Sequence, residues 1–328
     1  MTDFPTTRPQ TLFNRVPQNP ILTAEMWPYP ANSVFNTGAT RLQDGSTLLL
    51  VRVEDMRGLS HLCAARSMDG VRDWTIDAKP TFAPHRHHPE EEWGVEDPRI
   101  TYLPDEGRYG ILYTAYSHRG PGVSLALTED FETFERVGMV FPPEDKDAAL
   151  FPRQIGGRWW AIHRPVTSRG SHMFLSSSQD LRAWGQSRCL LEARNGPWWD
   201  GVKVGLSAPP IETEAGWLIV YHGVKLTGGG VLYRNGLALF DLEDPAHLLL
   251  RSAPWVFGPL EPFERVGDVD HVVFPCGYTV GDDGDTLNLY YGAADTTVGL
   301  ARASLKELLE WLEENGQPHP MRRSGDRR

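Results

Sequence analysis

The chain has few cysteines, a deficit of basic charge and almost no helical periodicity. Cys63, Cys189 and Cys276 are the only three cysteines in 328 residues. No CxxC pair occurs and an odd number cannot all pair within one chain, so a disulfide framework and a structural zinc site are both disfavoured. Lys and Arg number 32 against 43 Asp and Glu, a net charge of −11. That balance argues against a nucleic-acid partner, whose binding surfaces are basic, but leaves room for a local basic pocket. The longest apolar runs, such as 48–51 and 217–221, fall far short of the ~20 residues that span a bilayer. The N-terminus, MTDFPTTRPQ, lacks a charged segment followed by an apolar one, and no Asn-x-Ser/Thr site occurs. A soluble cytoplasmic protein with no membrane partner is the expectation. A hydrophobic content of 40% with 23% charged residues excludes wholesale disorder.

The chain consists mainly of short runs rich in Val, Ile, Tyr, Trp and Phe, bounded by Gly, Pro, Asp and Asn. These read as many short strands joined by tight turns, which 32 Gly and 26 Pro supply. Strand pairs recur: STLLLVRV with HLCAARSMDGVRDW, RYGILYTAY with VSLALTEDFETF, RWWAIHRP with HMFLSSSQDLRAW, GWLIVYHGV with NGLALFDLEDP, and TLNLYYGAAD with TVGLARASLKELL. In the first three, the second strand runs through an Asp-containing turn to an aromatic residue. Ala65, Ala126, Ser177, Ala238 and Ala301 mark five units, spaced 61, 51, 61 and 63 residues apart. Such a repeat predicts an all-β five-bladed β-propeller. A β-sandwich of coincidental hairpins is the alternative, but it would not need the same turn after equivalent strands.

The whole of 1–328 is expected to form one catalytic domain. Residues 1–20 read as an extended arm rather than part of a blade. One C-terminal helix is expected at 304–315, where Leu305, Leu308, Leu309 and Leu312 share a face. Ser304 with Glu307 can form a capping box at its start, and Gly316 can stop it. Residues 317–328 read as a frayed tail.

Four segments place polar groups against apolar strands, where a propeller would aim them into its funnel. In Gly94–Ile100, Glu96 and Asp97 precede Pro98 and Arg99. This is either a general acid, with Arg99 holding one carboxylate, or a salt-bridged surface turn. Lys146 and Arg164 flank apolar strands of one unit. Lys203 sits between apolar residues, where an unpaired ammonium is costly. His222 ends the strand WLIVY. Four cationic or cation-capable groups at strand ends of two successive units can together form an anion site. Other motifs fail: the glycines of LTGGGVLYRNG lack dinucleotide-site spacing, and no GxSxG or P-loop occurs. Arg86 interrupts the histidines at 85–88, so that segment reads as a solvated loop.

The sequence resembles glycoside hydrolase family 130, the β-mannoside phosphorylases and their hydrolytic relatives. The motifs carrying the resemblance, in chain order, are FNTGAT (35–40), GVEDPRIT (94–101), KDAALFP (146–152), HRP (163–165), WWDGVKVG (198–205), YHGV (221–224), YRNGLALFDLEDP (233–245), VDHVVFPCG (269–277) and YYGAADTTVGLA (290–301). The resemblance implies a five-bladed propeller and inverting, reversible phosphorolysis of a β-mannoside to α-mannose 1-phosphate. It implies no cofactor, with inorganic phosphate as co-substrate, and a possible homo-oligomer. By resemblance, Asp97 is the single catalytic acid. Lys146, Arg164, Lys203, His222 and Tyr233 bind phosphate, and Asn36, Arg52, Asp55, Arg66 and Asp295 line the mannosyl pocket. Lys146-Asp147 stands where phosphorylases of the family often carry Arg-Asn, and Asp147 would repel phosphate if it faced inward. A hydrolase of the same family and a non-catalytic carbohydrate-binding propeller are the alternatives.

Overall fold

The computed structural model describes residues 11–318. Their strands form five antiparallel units. The first contains Ser33–Arg41, Thr47–Glu54, Ser60–Ser67 and Thr75–Ile76. The second contains Gly94–Leu103, Arg108–Ser117, Gly120–Thr128 and Glu135–Phe141. The third contains Asp145–Leu150, Trp159–Thr167, Met173–Ser178 and Trp184–Leu191. The fourth contains Lys203–Leu206, Gly216–Thr227, Gly230–Phe240 and Leu248–Ser252. The fifth contains Val273–Val280, Thr286–Ala293 and Thr297–Ser304, and its outer strand is Asn14–Arg15.

Five apolar seams join these units into a closed ring. Leu50 and Leu62 meet Val95 and Ile111 between the first and second units, and Leu125 meets Leu150 and Ala161 between the second and third. Ile162 and Leu175 meet Val204 and Ile219 next, followed by Val220 and Leu237 with Leu289 and Tyr291. The ring closes where Tyr290, Val298 and Leu300 pack on Val34, Leu49 and Val51. This is the five-bladed propeller that the repeat spacing predicts. The radial arrangement packs the blade faces and leaves each blade only short, protected strand edges.

The recurring aspartates have a local cause. Asp69, Asp130 and Asp180 each accept two backbone N–H groups from the following turn, at 2.8–2.9 Å. These Asx turns satisfy backbone donors where the chain leaves the sheet. The aromatic residue then returns to the blade; the indoles of Trp74 and Trp184 donate to the carbonyls of Val71 and Leu181.

Two expectations about the ends are corrected. The described part of the N-terminal segment is no free arm: Asn14 and Arg15 pair with Arg302 and Ala301 and complete the fifth blade. Arg15 is anchored by Glu264 at 2.6 and 2.7 Å. At the other end, the helix Leu305–Asn315 is capped by Ser304 Oγ, which accepts from the Glu307 N–H, and it buries Leu308 and Leu312. Of the tail expected to fray at 317–328, the described Gln317 and Pro318 instead pair with Arg251 and Leu250. The rest, 319–328, lies outside the described residues, as do residues 1–10. No helix among the described residues is long and apolar enough to cross a membrane.

Candidate active site

The innermost strands of the first three blades break their ladders at the same kind of place. Register shifts fall between Phe35 and Gly38, between Glu96 and Arg99, and between Lys146 and Ala149. Inside the three bulges, Asn36, Asp97 and Asp147 have φ of 44°, 50° and 54°. Asn and Asp tolerate this left-handed backbone better than other L-residues, and a bulge re-aims the side chain it carries. The three polar side chains therefore leave the blade faces and converge on the ring axis.

They help line an axial cavity of about 350 Å³, together with Arg52, Glu96, Tyr116, Lys146, Arg164, Lys203, His222, Tyr233, Phe274 and Asp295. A larger hollow, about 440 Å³, opens at Thr40, Tyr102, Pro209 and Tyr278. It lacks a cluster of facing carboxylates and cations, so the chemistry belongs to the smaller cavity.

Charge is divided around the axis. On the side of the first, second and fifth blades, Asp97 Oδ1 accepts from Asn36 Nδ2 and Arg52 Nη1, each at 2.9 Å. Burial pushes the Asp97 carboxyl up, but Arg52, Lys146 and Arg99 outweigh burial and hold it below the ordinary carboxylate range. Glu96 lies between Arg52 (3.2 Å) and Lys146 (3.6 Å). Burial and the adjacent Asp97 charge push Asp295 up to about 7.

The third and fourth blades supply the cations. Asp147 does face inward, and its role there is to organise them. It accepts from Arg164 Nε at 2.6 Å, lies 3.4 Å from His222 Nε2 and stands 3.6 Å from Arg99 Nη2. Burial opposes its charge, but Arg164, His222 and Arg99 hold its carboxyl well below the usual range. Gly205 makes this packing possible: an added Cβ would fall on Asp147 Oδ2 and 2.6 Å from His222 Nε2. Burial, then the Arg164 and Lys203 charges, keep the His222 ring below its ordinary pKa despite Asp147. Its Nδ1 is buried with no hydrogen-bond partner among the described residues.

Lys203 stands over the Tyr233 ring at 5.1 Å. Burial and the neighbouring Arg164 lower its pKa to about 8, and burial pushes Tyr233 up to about 12. The Lys203 charge is therefore present below about pH 8 and lost above it. For an anionic co-substrate, kcat/KM should fall as pH rises through 8, since that ratio reports groups of the free enzyme. Lys203→Arg should move the fall to higher pH, because guanidinium does not deprotonate in this range. An unmoved limb in a pH–rate profile of that variant would show that another group titrates.

The cavity brings together Asn36, Arg52, Asp97, Lys146, Arg164, Lys203, His222, Tyr233 and Asp295. Asp55 and Arg66 are corrections, because neither lines it. Asp55 caps its own hairpin, bonded to the Arg57 side chain and to the Arg57 and Leu59 N–H groups. Arg66 pairs with Asp77 at 2.6 Å. It lies opposite Leu48, whereas Arg52 lies opposite Leu62. Four residues along a strand, roughly 13 Å, separate those positions. Arg99 also differs from expectation: it does not hold a neighbouring carboxylate by hydrogen bond. Its guanidinium donates to the carbonyls of Ser207, Leu206 and Asp97 at 2.7–3.1 Å, tying the second blade to the fourth beneath the cavity. Tyr116 and Phe274 escaped the sequence reading because an aromatic residue in a strand reads as core.

Carboxylates led by Asp97, facing a cation cluster on a propeller axis, make this cavity the candidate active site of a propeller enzyme. The match to known proteins agrees: residues 10–314 fit the family described as beta-1,4-mannooligosaccharide phosphorylase, and the chain belongs to glycoside hydrolase family 130. Among its relatives is a Beta-1,2-mannobiose phosphorylase of Listeria innocua serovar 6a, 39% identical over 79% of this chain and 70% of the relative. A Beta-1,4-mannooligosaccharide phosphorylase of Ruminococcus albus is 32% identical over 92% of this chain and 91% of its own length. A solved Listeria innocua Beta-1,2-mannobiose phosphorylase in complex with beta-1,2-mannobiose has a TM-score of 0.84 and 31% identity, covering 92% of this chain and 99% of that one.

Proposed function

We propose that this chain catalyses inverting, reversible phosphorolysis of a β-mannoside, releasing α-mannose 1-phosphate, with inorganic phosphate as co-substrate. The observation that carries this reading is the cation cluster of Lys146, Arg164, Lys203 and His222 facing Asp97, with a buried His222 nitrogen that has no partner among the described residues. Inverting hydrolysis requires a base that activates water across the sugar from the acid. Here the side facing Asp97 carries cations, and its inward carboxylate, Asp147, is engaged by Arg164 and His222. That environment suits an anion that is already a nucleophile.

In this reading a phosphate oxygen forms the bond to the anomeric carbon from the cation side. The glycosidic C–O bond breaks, and the leaving oxygen takes up the proton supplied by Asp97. Asn36, Arg52 and Asp295 hold the mannosyl unit. Arg52, Lys146 and Arg99 hold the Asp97 carboxyl low, so it takes its proton from solvent as the substrates bind. Phosphate offsets the Lys146 charge and bound sugar displaces water, and both raise the Asp97 pKa toward that of a donor. A cytoplasmic location accompanies this reading, since all three cysteines are free thiols.

The test is product analysis with and without phosphate. β-Mannoside turnover should require phosphate and yield α-mannose 1-phosphate, because one displacement inverts the centre. Free mannose formed at an equal rate without phosphate would make the chain a mannosidase. Arg164→Ala should raise the phosphate KM by roughly 10- to 150-fold, the equivalent of about 1.5–3 kcal/mol for a charged hydrogen bond, while the sugar KM moves little.

A further inference from the structure

A chain of side chains crosses the third blade, one from each strand, and the phosphorolysis reading does not use it. Asp145 Oδ2 is 2.6 Å from His163 Nδ1, His163 Nε2 is 2.8 Å from Ser176 Oγ, and Ser176 Oγ is 2.7 Å from Ser187 Oγ. The His163 ring lies flat on Phe141, with centroids 3.9 Å apart and planes 1° from parallel. A Ser–His–Asp order invites a hydrolytic reading, but Ser176 is 0% exposed and its oxygen already faces both His163 and Ser187. No substrate carbonyl can reach it, so it is not a nucleophile.

The inner end of the chain points to what it does. Asp145 Oδ1 accepts the backbone N–H of Arg164 at 3.1 Å. Two residues on, Asp147 accepts Arg164 Nε at 2.6 Å. The segment Asp145-Lys146-Asp147 thus holds Arg164 at both backbone and guanidinium, while Lys146, between the two aspartates, faces the cavity. Pro165 follows Arg164 and restricts its backbone to extended conformations. Asp145 is itself a buried carboxylate whose direction is set by His163, and His163 is set by Phe141 and Ser176.

We infer that His163 and Asp145 form a positioning pair that fixes the main chain of Arg164 and so aims its guanidinium, with Lys146 alongside, at the phosphate. This rests on the phosphorylase reading. Neither residue touches substrate; each acts through Arg164. Guanidinium recognition of phosphate depends on orientation more than ammonium recognition does, so loosening this anchor should weaken phosphate and leave the sugar site intact.

The ring nitrogens allow a test that packing alone would not pass. His163→Asn keeps an amide donor near the Nδ1 position, toward Asp145. His163→Gln carries its amide to the Nε2 position, toward Ser176, and abandons Asp145. Steady-state kinetics and calorimetric titration with inorganic phosphate are the readouts, alongside thermal melting. We expect the phosphate KM and Kd to rise about tenfold in His163→Gln, the size of one charge-assisted hydrogen bond, with the β-mannoside KM unchanged. His163→Asn should recover most of that loss. Asp145→Asn, which keeps the shape and gives up the charge, should behave as His163→Gln does and serves if that variant fails to fold. Equal phosphate KM in both histidine variants and the wild type, or a parallel rise in sugar KM, would overturn the inference. So would collapse of both His163→Gln and Asp145→Asn, which would make the pair a folding element. A wild-type enzyme that binds phosphate, with unaffected variants, removes the positioning role alone. A wild-type enzyme that neither binds nor consumes phosphate removes the phosphorylase reading with it.

Discussion

Asp97→Asn should lower turnover by about 10²–10⁴-fold, the usual worth of a positioned proton donor, and leave the fold intact. The amide preserves shape and still accepts from Asn36 and Arg52, which contact Asp97 at 2.9 Å in the native protein. It cannot deliver a proton to a leaving oxygen. Phosphate binding should survive, because Arg164, Lys203 and His222 lie on the other blades. The measurement is kcat in both reaction directions, with thermal melting to confirm folding. Since a single acid serves phosphorolysis and synthesis by microscopic reversibility, both rates should fall together. Near-normal turnover in either direction would remove Asp97 from the chemistry and turn attention to Asp295, which burial and the Asp97 charge raise to about 7.

The largest loss of stability is expected from Asp147→Ala. Asp147 is 2% exposed and is the common partner of Arg164, His222 and Arg99. Removing one member of a buried ion pair leaves an uncompensated charge, which typically costs about 3–5 kcal/mol. Arg99 has carbonyl partners left and His222 can stay neutral, so Arg164 bears most of the effect. Denaturant unfolding should show the midpoint shift. Added phosphate should restore more stability to the variant than to the wild type, since an anion in the pocket replaces the missing charge. An unfolding free energy within about 0.5 kcal/mol of wild type, the range of ordinary surface substitutions, would mean that Asp147 is not the anchor of the cluster.

The inward Asp147 also shows how a sequence departure changes meaning in three dimensions. Read linearly, an aspartate beside a lysine proposed to bind phosphate looks like repulsion. In the cavity it is paired with Arg164 and His222 and sets their geometry. A carboxylate 2.6 Å from Arg164 Nε attracts far more strongly than it repels an anion held beyond that guanidinium.

The repeat and the family motifs were legible in the sequence alone. Strand pairs with Ala65, Ala126, Ser177, Ala238 and Ala301 at their middles carry the five-blade count, because small residues recur where neighbouring blades pack. The aspartates 69, 130 and 180 were legible for a local reason: an Asx turn closes within a few residues. Nine of the eleven residues assigned by resemblance reach one cavity; several lie on inner strands or directly opposite them, as Arg164 is opposite Lys146 and His222 opposite Gly205. Only the tertiary structure decided the rest. It placed Asp55 and Arg66 outside the cavity, because strand alternation and distance along a strand are not visible in a motif. It joined Asn14–Arg15 to Thr297–Ser304, a contact nearly 290 residues apart in sequence with no local signature. It also turned Asn36, Asp97 and Asp147 toward the axis through bulges, which depend on one inner strand slipping against its partner. Local turns and repeats depend on neighbours in sequence, whereas ring closure, bulge register and charge partners depend on which blades meet.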